Sequence, residues 1–391
     1  MPTSDGTATD MSEVLKQNPV LVFCPYLDLR EPCEVANWTV NPLMTFTGPW
    51  RNDQFEARCR QLLAKLQDAD GQPIKNPCIL GLGSSGSNGE RPEARELEAL
   101  QLALHIGLLD TNPPWQADLD GNWIATSDNS ELFAWPIDVD SGGIATQRGA
   151  IVRVLTGGYR LDDPRFTVRA PLELHLPLRM RVNTELATAI FRVVRGDHDA
   201  VDAVFARRIA IAVRWLAKAW RNTPSIGADD QVVMIRTGLE ALTGTSKTRN
   251  AITFLEATFD GLRTRGATDG RFTEHMLWSP DNVPARAFSY VTAGGSPKTV
   301  TLTDMGHWLS TFAETRHLIV HEGGAPNLVY DEPGSRFNGP LFHSGERLLR
   351  ETIKASLVAF GYEDLWQAEA FRAIKKALSR AVPGFGPRQP E

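Results

Sequence analysis

The chain has 391 residues, of which 42% are hydrophobic and 23% are charged, and its formal net charge is −6. This composition is typical of a globular protein long enough for two domains, and the negative charge excludes a protein that coats nucleic acid with its whole surface. No apolar run approaches the roughly 20 residues needed to cross a bilayer. The polar, acidic start of the chain has no secretory leader, so we expect a cytoplasmic protein with no membrane partner.

The charge is unevenly spread along the chain. Residues 201–391 contain 23 Lys and Arg against 20 Asp and Glu, whereas the remaining residues contain 18 against 27. This difference indicates two domains, of which the C-terminal one is the better candidate for binding a polyanion. Because its excess of basic residues is small, a nucleic acid would have to be held by a local patch.

All four cysteines fall in the first eighty residues, at Cys24, Cys33, Cys59 and Cys78. None is paired as Cys-x-x-Cys, and no histidine lies among them. The spacing therefore favours reduced structural thiols over a zinc site or a disulfide framework.

The N-terminal half alternates between short strand patterns and amphipathic helix patterns. We predict helices over residues 52–68 and 92–109, and strands over residues 20–24, 38–44, 78–82, 123–126, 132–139, 150–155 and 171–181. Pro42 is expected to confine its strand to the edge of a sheet, since proline cannot donate a ladder hydrogen bond. These elements indicate an α+β domain over residues 1–198, with a sensory or regulatory role.

From residue 199 the apolar positions recur with helical period. We predict helices over residues 199–221, 229–242, 246–263, 304–322, 344–360 and 364–380. Residues 264–301 contain three prolines and are expected to form an insertion or long loop, and residues 323–340 a second loop. Several consecutive helices of this length favour an all-α antiparallel helical bundle over residues 199–391.

One stretch of this half concentrates polar groups at the end of a predicted helix, DMGHWLSTFAETRHLIVHEGG at residues 304–324. Asp304 suits the N-cap position, and the Gly323–Gly324 pair suits a left-handed stop. Near the C-terminal end, Arg316 and His317 are followed by His321. A helix turns about 100° per residue, which puts the two imidazoles about 40° apart and one turn apart on a common face. A guanidinium beside two imidazoles can hold a phosphate and move protons near neutral pH.

The same residues resemble a known signature. Arg316 and His321 match the Arg-x(4–6)-His pattern of HEPN-domain ribonucleases, and the segment RHLIVHEG at residues 316–323 is similar to the R-x-x-I-V-H-x-G pattern of the Apea-like HEPN branch. The resemblance covers roughly residues 199–380 and implies a HEPN-like helical bundle.

The resemblance also implies an activity, namely metal-independent cleavage of RNA by attack of its own 2′-hydroxyl. His321 would act as general acid or base, Arg316 would offset the charge on the phosphorane, and His317 would orient the phosphate or His321. It implies no cofactor, a homodimer that brings two motifs into one cleft, and a prokaryotic setting in anti-phage defence or toxicity. The N-terminal domain would then respond to a trigger, either phage-derived or a nucleotide.

Three further residues are candidates for substrate binding. Glu240 matches an acidic residue often present on the second helix of Apea-like domains, but it also lies four residues after Arg236 and could simply pair with it. His307 could face the same cleft as the motif. Arg336, like the neighbouring His343, could add positive charge from a loop.

Other interpretations stay open on the sequence alone. The same bundle could bind nucleotide or RNA, or mediate assembly, without catalysis. His317, His321 and Glu322 could instead hold a metal, although the glutamate of a His-Glu-x-x-His site is missing. The GLGSSG at residues 81–86 matches a dinucleotide fingerprint, but a flexible loop is favoured because no helix opens within it.

Overall fold

The structure is a computed structural model, and it describes residues 181–362 with few gaps and the preceding residues only in short stretches. Between residues 181 and 362 it describes everything except residues 199–201, 221–225, 270–285, 292–295, 326 and 336. Before that it describes residues 21–24, 27, 29, 31–43, 53–64, 66–67, 78–82, 94–111, 116–117, 123–124, 135–138, 143–145, 151–153 and 159–160, and after it residue 365. The chain divides into two compact units, one of Met1–Arg195 with Trp366–Glu391 and one of Gly196–Leu365.

The first unit is built on an antiparallel sheet. Its strands are β1 (Leu21–Cys24), β2 (Cys33–Val35), β3 (Trp38–Pro42), β5 (Cys78–Leu82), β8 (Trp135–Asp138), β9 (Gly143–Ala145) and β10 (Ile151–Arg153). They lie in the order β10-β9-β8-β1-β5-β3-β2. The short strands β4 (Leu66–Gln67), β6 (Gln116–Ala117), β7 (Trp123–Ile124) and β11 (Tyr159–Arg160) pair outside this sheet, β4 with β11 and β6 with β7. Buried Cys24 and Cys78 lie opposite each other on β1 and β5.

The expectation that Pro42 confines its strand to an edge is wrong. Strand β3 lies inside the sheet, between β5 and β2. The register gives the reason, because β2 begins with Cys33 opposite Val40, and Pro42 lies beyond the end of that pairing. On its other side Pro42 pairs with Cys78, the first residue of β5. The missing N–H of Pro42 therefore falls where no β2 residue would accept it.

Helices complete the first unit as α1 (Asp53–Leu63), α2 (Ala94–Thr111) and α3 (Thr184–Arg195). Helix α3, which no predicted element covers, is capped by Asn183, whose Oδ1 accepts the N–H of Leu186 at 3.1 Å. The Asn183 amide also donates to Asp110 of α2 at 2.7 Å, and its backbone N–H donates to the carbonyl of Gly107 at 3.0 Å. A Cβ at Gly107 would lie 2.9 Å from Val182 Cγ1, so the backbones approach closely there.

The second unit is mainly helical, with α4 (Ala203–Ala219), α5 (Ala228–Thr243), α6 (Thr248–Asp269), α7 (Asp304–Glu322) and α8 (Leu341–Leu357), which a 3-10 turn at Val358–Phe360 extends. Helix α5 is the centre of this unit, since it packs against α4, α6, α7 and α8. Its fully buried side chains recur at spacings of three and four residues, which produces one apolar stripe: Val232, Ile235, Leu239 and Leu242. Gly244, with φ of 70°, ends the helix.

The second unit is not all-α, which corrects part of the predicted fold class. Strands β12 (Arg286–Val291) and β13 (Pro297–Leu302) form an antiparallel hairpin within the stretch that was expected to be a loop. A second small ladder joins β14 (Val329–Tyr330) and β15 (Gly339–Pro340). The run KTVTL in β13 has the β-branched residues that favour strands, but the flanking prolines suggested a loop. The chain is therefore mixed, with small antiparallel sheets and a high share of helix.

Helix α7 carries the motif, and its start differs from the prediction. Thr303 is the N-cap, since its Oγ1 accepts the N–H of Gly306 at 3.0 Å, and Asp304 is the first helical residue. Asp304 is 1% exposed and lies 3.8 Å from Arg286 Nη2. The predicted C-terminus is confirmed, because Gly323 adopts φ of 81° and caps the helix. Helical spacing predicts an apolar stripe of Met305, Trp308, Leu309, Phe312 and Ile319, of which the first four are buried and Ile319 is partly buried.

Two predicted elements lie outside the described residues, namely most of the strand at residues 171–181 and most of the helix at residues 364–380. In the described part of the chain, no helix combines the length and the apolar character needed to span a membrane.

Candidate functional site

The last two turns of helix α7 present two imidazoles to solvent. His317 and His321 are both exposed, and their ring centroids lie 4.4 Å apart with 46° between the ring planes. The i, i+4 spacing and the helical backbone bring them together, since both project from the same face one turn apart. Gly323 ends the helix two residues later, so the rings lie at the open end of the helix.

Arg316 lies on the flank of this face, towards helix α5. Its side chain is partly buried, and its Nε is buried with no hydrogen-bond partner among the residues that the structure describes. The side chain as a whole is only partly buried, so its positive charge can still pair with an incoming anion.

Helices α5 and α7 run antiparallel, which sets the neighbours of Arg316. A Cβ at Gly324, just after α7, would lie 3.9 Å from Asp229 Oδ2 in the first turn of α5. Seven residues further along α5 is Arg236, and eight residues back along α7 is Arg316, displacements of about 11 and 12 Å along the two helices. Arg236 and Arg316 therefore lie at the same level of the helix pair.

Arg236 is a buried cation with one carboxylate partner. It is 1% exposed, and its Nε lies 3.2 Å from Glu240 Oε1, the i, i+4 pair that the sequence allowed. Its Nη2 donates to the carbonyl of Ser246 at 3.3 Å and lies 3.5 Å from Thr248 Oγ1. Burial lowers the pKa of Arg236, the charge of Glu240 opposes this, and the positive charge of Arg316 adds to the lowering.

These groups give the helix end a defined chemistry. Glu240 pairs with Arg236, and the nearby Arg316 adds a second guanidinium, so these three side chains together carry a net charge of about +1. Such a set can hold a phosphate oxygen and exchange protons with its neighbours.

His307 lies near the opposite end of α7, about 21 Å from His321 along the helix axis. Its ring stacks on Phe288 of β12 with 3.6 Å between centroids, and its Nδ1 lies 2.7 Å from the hydroxyl of Tyr330. Burial lowers the pKa of His307 and raises that of Tyr330. The structure thus places His307 in a separate cluster with the hairpin.

The remaining basic candidates contribute less to the described site. Arg336 lies outside the described residues. His343 is in the first turn of α8, partly buried against Phe342 and Trp220, with ring centroids 5.4 and 6.5 Å away. Burial lowers the pKa of His343.

The geometry also bears on the metal and nucleotide interpretations. In the ranges that the structure covers, no group of three His, Cys, Asp or Glu side chains could hold a metal ion. Of the glycine-rich stretch at residues 81–86, the structure describes Gly81 and Leu82 at the end of β5, and residues 83–86 lie outside the described residues.

Two sets of residues in this unit were not foreseen as parts of sites. Arg236 was considered solely as a partner of Glu240, although a basic residue at helical spacing on an apolar face was a usable signal. Arg286 and Tyr330 were missed, because they approach His307 from strands separated by long stretches of sequence. Comparisons of the chain with known protein families, with curated proteins and with solved structures found no match.

Proposed function

We propose that this chain is a metal-independent endoribonuclease whose reactive groups are Arg316, His317 and His321. The observation that supports the proposal best is the pair of exposed imidazoles 4.4 Å apart, next to a guanidinium whose Nε has no acceptor within the described part of the chain. Cleavage of RNA needs these two functions together, a proton carrier and a fixed positive charge near the phosphorus.

The reaction uses the 2′-hydroxyl of the RNA as nucleophile. A base removes the hydroxyl proton, the 2′-oxygen bonds to phosphorus, the bond from phosphorus to the 5′-oxygen breaks, and an acid returns a proton to that oxygen. The products are a 2′,3′-cyclic phosphate and a 5′-hydroxyl. His321 serves as base or acid, and His317 orients the phosphate or His321. Arg316 stabilises the negative charge of the phosphorane.

The resemblance to Apea-like HEPN ribonucleases supports the rest of the proposal. In this proposal the helical unit is a HEPN-like bundle, two copies of the chain form one cleft, and RNA cleavage serves anti-phage defence or toxicity in a prokaryotic cytoplasm. The N-terminal unit restrains or triggers the nuclease.

The test compares RNA in cells that express the wild type, Arg316→Ala, His321→Ala or Arg249→Ala. The last is the matched control, because Arg249 is an exposed arginine on helix α6. Purified His321→Ala is expected to cleave about 10²–10⁴-fold more slowly, since it loses the proton carrier. Arg316→Ala is expected to cleave about 10²–10³-fold more slowly. Mapped ends should carry 2′,3′-cyclic phosphates.

Two other outcomes would point elsewhere. Loss of cleavage in EDTA, with recovery on adding a divalent metal, would favour the metal interpretation through His317, His321 and Glu322. Intact RNA with all variants, together with RNA binding that needs Arg316, would favour a non-catalytic binding module.

A further inference from the structure

The boundary between helices α5 and α7 contains an arginine that cannot reach a substrate. Arg236 is 1% exposed, and hydrogen bonds tie it to the carbonyl of Ser246 and to Thr248 at the start of α6. Swinging its guanidinium outward would break these contacts and the 3.2 Å ion pair with Glu240. Arg236 therefore has a role inside the protein.

Glu240 has two cations within its neighbourhood. It lies one turn along helix α5 from Arg236, and the positive charge of Arg316 lowers the pKa of Arg236, so a second cation lies close to the ion pair of Arg236 and Glu240. The side chain of Glu240 is 24% exposed, so it is not locked in the core and could turn towards Arg316 if Arg236 released it.

The choice between the two cations follows from their burial. A buried guanidinium without a counter-ion is strongly unfavourable, whereas a partly exposed one keeps some of its hydration. Glu240 therefore stays with Arg236, and Arg316 retains its full positive charge. If Glu240 paired with Arg316 instead, it would neutralise that charge and block the approach of a phosphate.

We infer that Arg236 is a positioning residue, which holds Glu240 away from Arg316 so that Arg316 is free to bind a phosphodiester of RNA. This inference rests on the proposed function for the identity of the anion. Glu240 is then not a substrate-binding group but a carboxylate that must stay paired with Arg236. The buried Arg236 nitrogen Nη1, which has no acceptor among the described residues, fits a group whose single strong partner is Glu240.

The experiment is a double-mutant cycle read by RNA binding, with the full-length protein and a fully 2′-O-methylated oligonucleotide that cannot be cleaved. Arg236→Gln frees Glu240 to pair with Arg316, so the Kd is expected to rise about tenfold or more. Glu240→Gln removes the carboxylate and is expected to bind more tightly. Adding Arg236→Gln to Glu240→Gln is expected to change the Kd by less than about twofold, since no carboxylate remains to be held.

Salt dependence separates this role from a general loss of structure. Each phosphate contact in single-stranded nucleic acid contributes about 0.7 to the slope of log Kd against log salt concentration. Arg236→Gln should lower that slope by about this amount, and Arg316→Ala should do the same. Arg249→Gln is the control, because it removes an exposed charge next to Thr248 and should keep the slope.

The outcomes decide the inference in each case. If Arg236→Gln weakens binding equally with Glu or with Gln at position 240, or if Glu240→Gln weakens binding, the inference is overturned. If Arg236→Gln does not fold, the double variant, which leaves no unpaired charge in the core, is compared with Glu240→Gln, and a large difference overturns it. No RNA binding by the wild type also overturns it.

The inference and the nuclease proposal fail separately. A cycle that shows the expected coupling, in a protein that never cleaves natural RNA, supports the role of Arg236 and rejects the nuclease. Cleavage with correct ends but without coupling supports the nuclease and rejects the role of Arg236.

Discussion

At the scale of single residues, the two clusters on helix α7 differ in how far their titratable side chains are exposed to solvent. The C-terminal cluster leaves imidazoles in solvent and a guanidinium Nε without a described acceptor. The cluster near the N-terminus is closed, because the His307 ring is stacked on Phe288 and hydrogen-bonded to Tyr330. The exposed imidazoles can meet a substrate, and the partly buried His307, whose pKa folding lowers, also affects stability.

The closed cluster predicts a pH effect on stability. Burial lowers the pKa of His307, the charges of Glu332 and Asp304 oppose this lowering, and that of Arg286 adds to it. The ordinary pKa of histidine is about 6.5, so below it the unfolded chain takes up a proton that the folded chain resists. The stabilising contribution is therefore present above about pH 6.5 and is lost as the pH falls towards the folded pKa.

His307→Asn keeps a polar atom near Tyr330 but cannot titrate. We expect its urea unfolding midpoint to fall less than that of the wild type between pH 7.5 and pH 5. The difference between the two proteins in the pH slope of the free energy of unfolding should correspond to less than one bound proton. His343, whose pKa is also lowered by burial, is present in both proteins and cancels in the comparison. Parallel midpoints across this range would contradict the assignment.

At the scale of elements, the start of helix α7 shows why a cap matters here. The Thr303 hydroxyl accepts from Gly306 N–H at 3.0 Å and donates to Glu256 Oε1 at 2.7 Å, so it joins α7 to α6. The same turn brings Asp304 towards Arg286 of the hairpin. One hydroxyl thus stabilises the first turn of the helix whose last turn carries the candidate site.

Thr303→Ala removes both hydrogen bonds. The lost cap costs about 1 kcal/mol, and the lost contact to Glu256 adds about as much, so the first turn of α7 should open more easily by about 1–2 kcal/mol. Native-state hydrogen exchange of peptides from this turn measures that opening directly. Thr303→Ser keeps the hydroxyl and should stay within about 0.5 kcal/mol of the wild type. Equal exchange in the Ala variant and the wild type would reject Thr303 as the cap.

At the scale of the whole molecule, the proposed dimer requires that the helix face with Arg316 and His321 lie against the partner copy. Val320 lies between His317 and His321 in sequence and is 46% exposed, so it offers apolar surface beside the two imidazoles. A partner copy that covers the face with Arg316 and His321 would also cover Val320.

Val320→Glu is therefore expected to raise the dimer dissociation constant about tenfold or more, because it would bury an unpaired charge at the interface. Val204→Glu is the matched control, since Val204 on helix α4 is 69% exposed and lies on a different element. Sedimentation velocity over a concentration series measures both constants. Equal effects of the two substitutions, or a wild type that is monomeric throughout, would reject a dimer through this face.

Much of the architecture followed from local patterns. Most of the buried stripe of α7 and the glycine stop at Gly323 were readable from spacing alone, because helical period and left-handed glycine are local properties. The strand at β3 was also readable, but its place inside the sheet was not, since that depends on where β2 begins. The hairpin of β12 and β13 was missed because its flanking prolines pointed to a loop.

The amino-acid sequence by itself determined that Arg316, His317 and His321 gather at one helix end, because all three lie within six residues of one regular helix. Only the tertiary structure decided which charges surround them. The packing of α5 against α7 brings Arg236 to the level of Arg316, with Glu240 one turn further along α5, and the hairpin draws His307 into a separate cluster. Electrostatic interactions act through space, so the charge state of this site depends on contacts that no local pattern specifies.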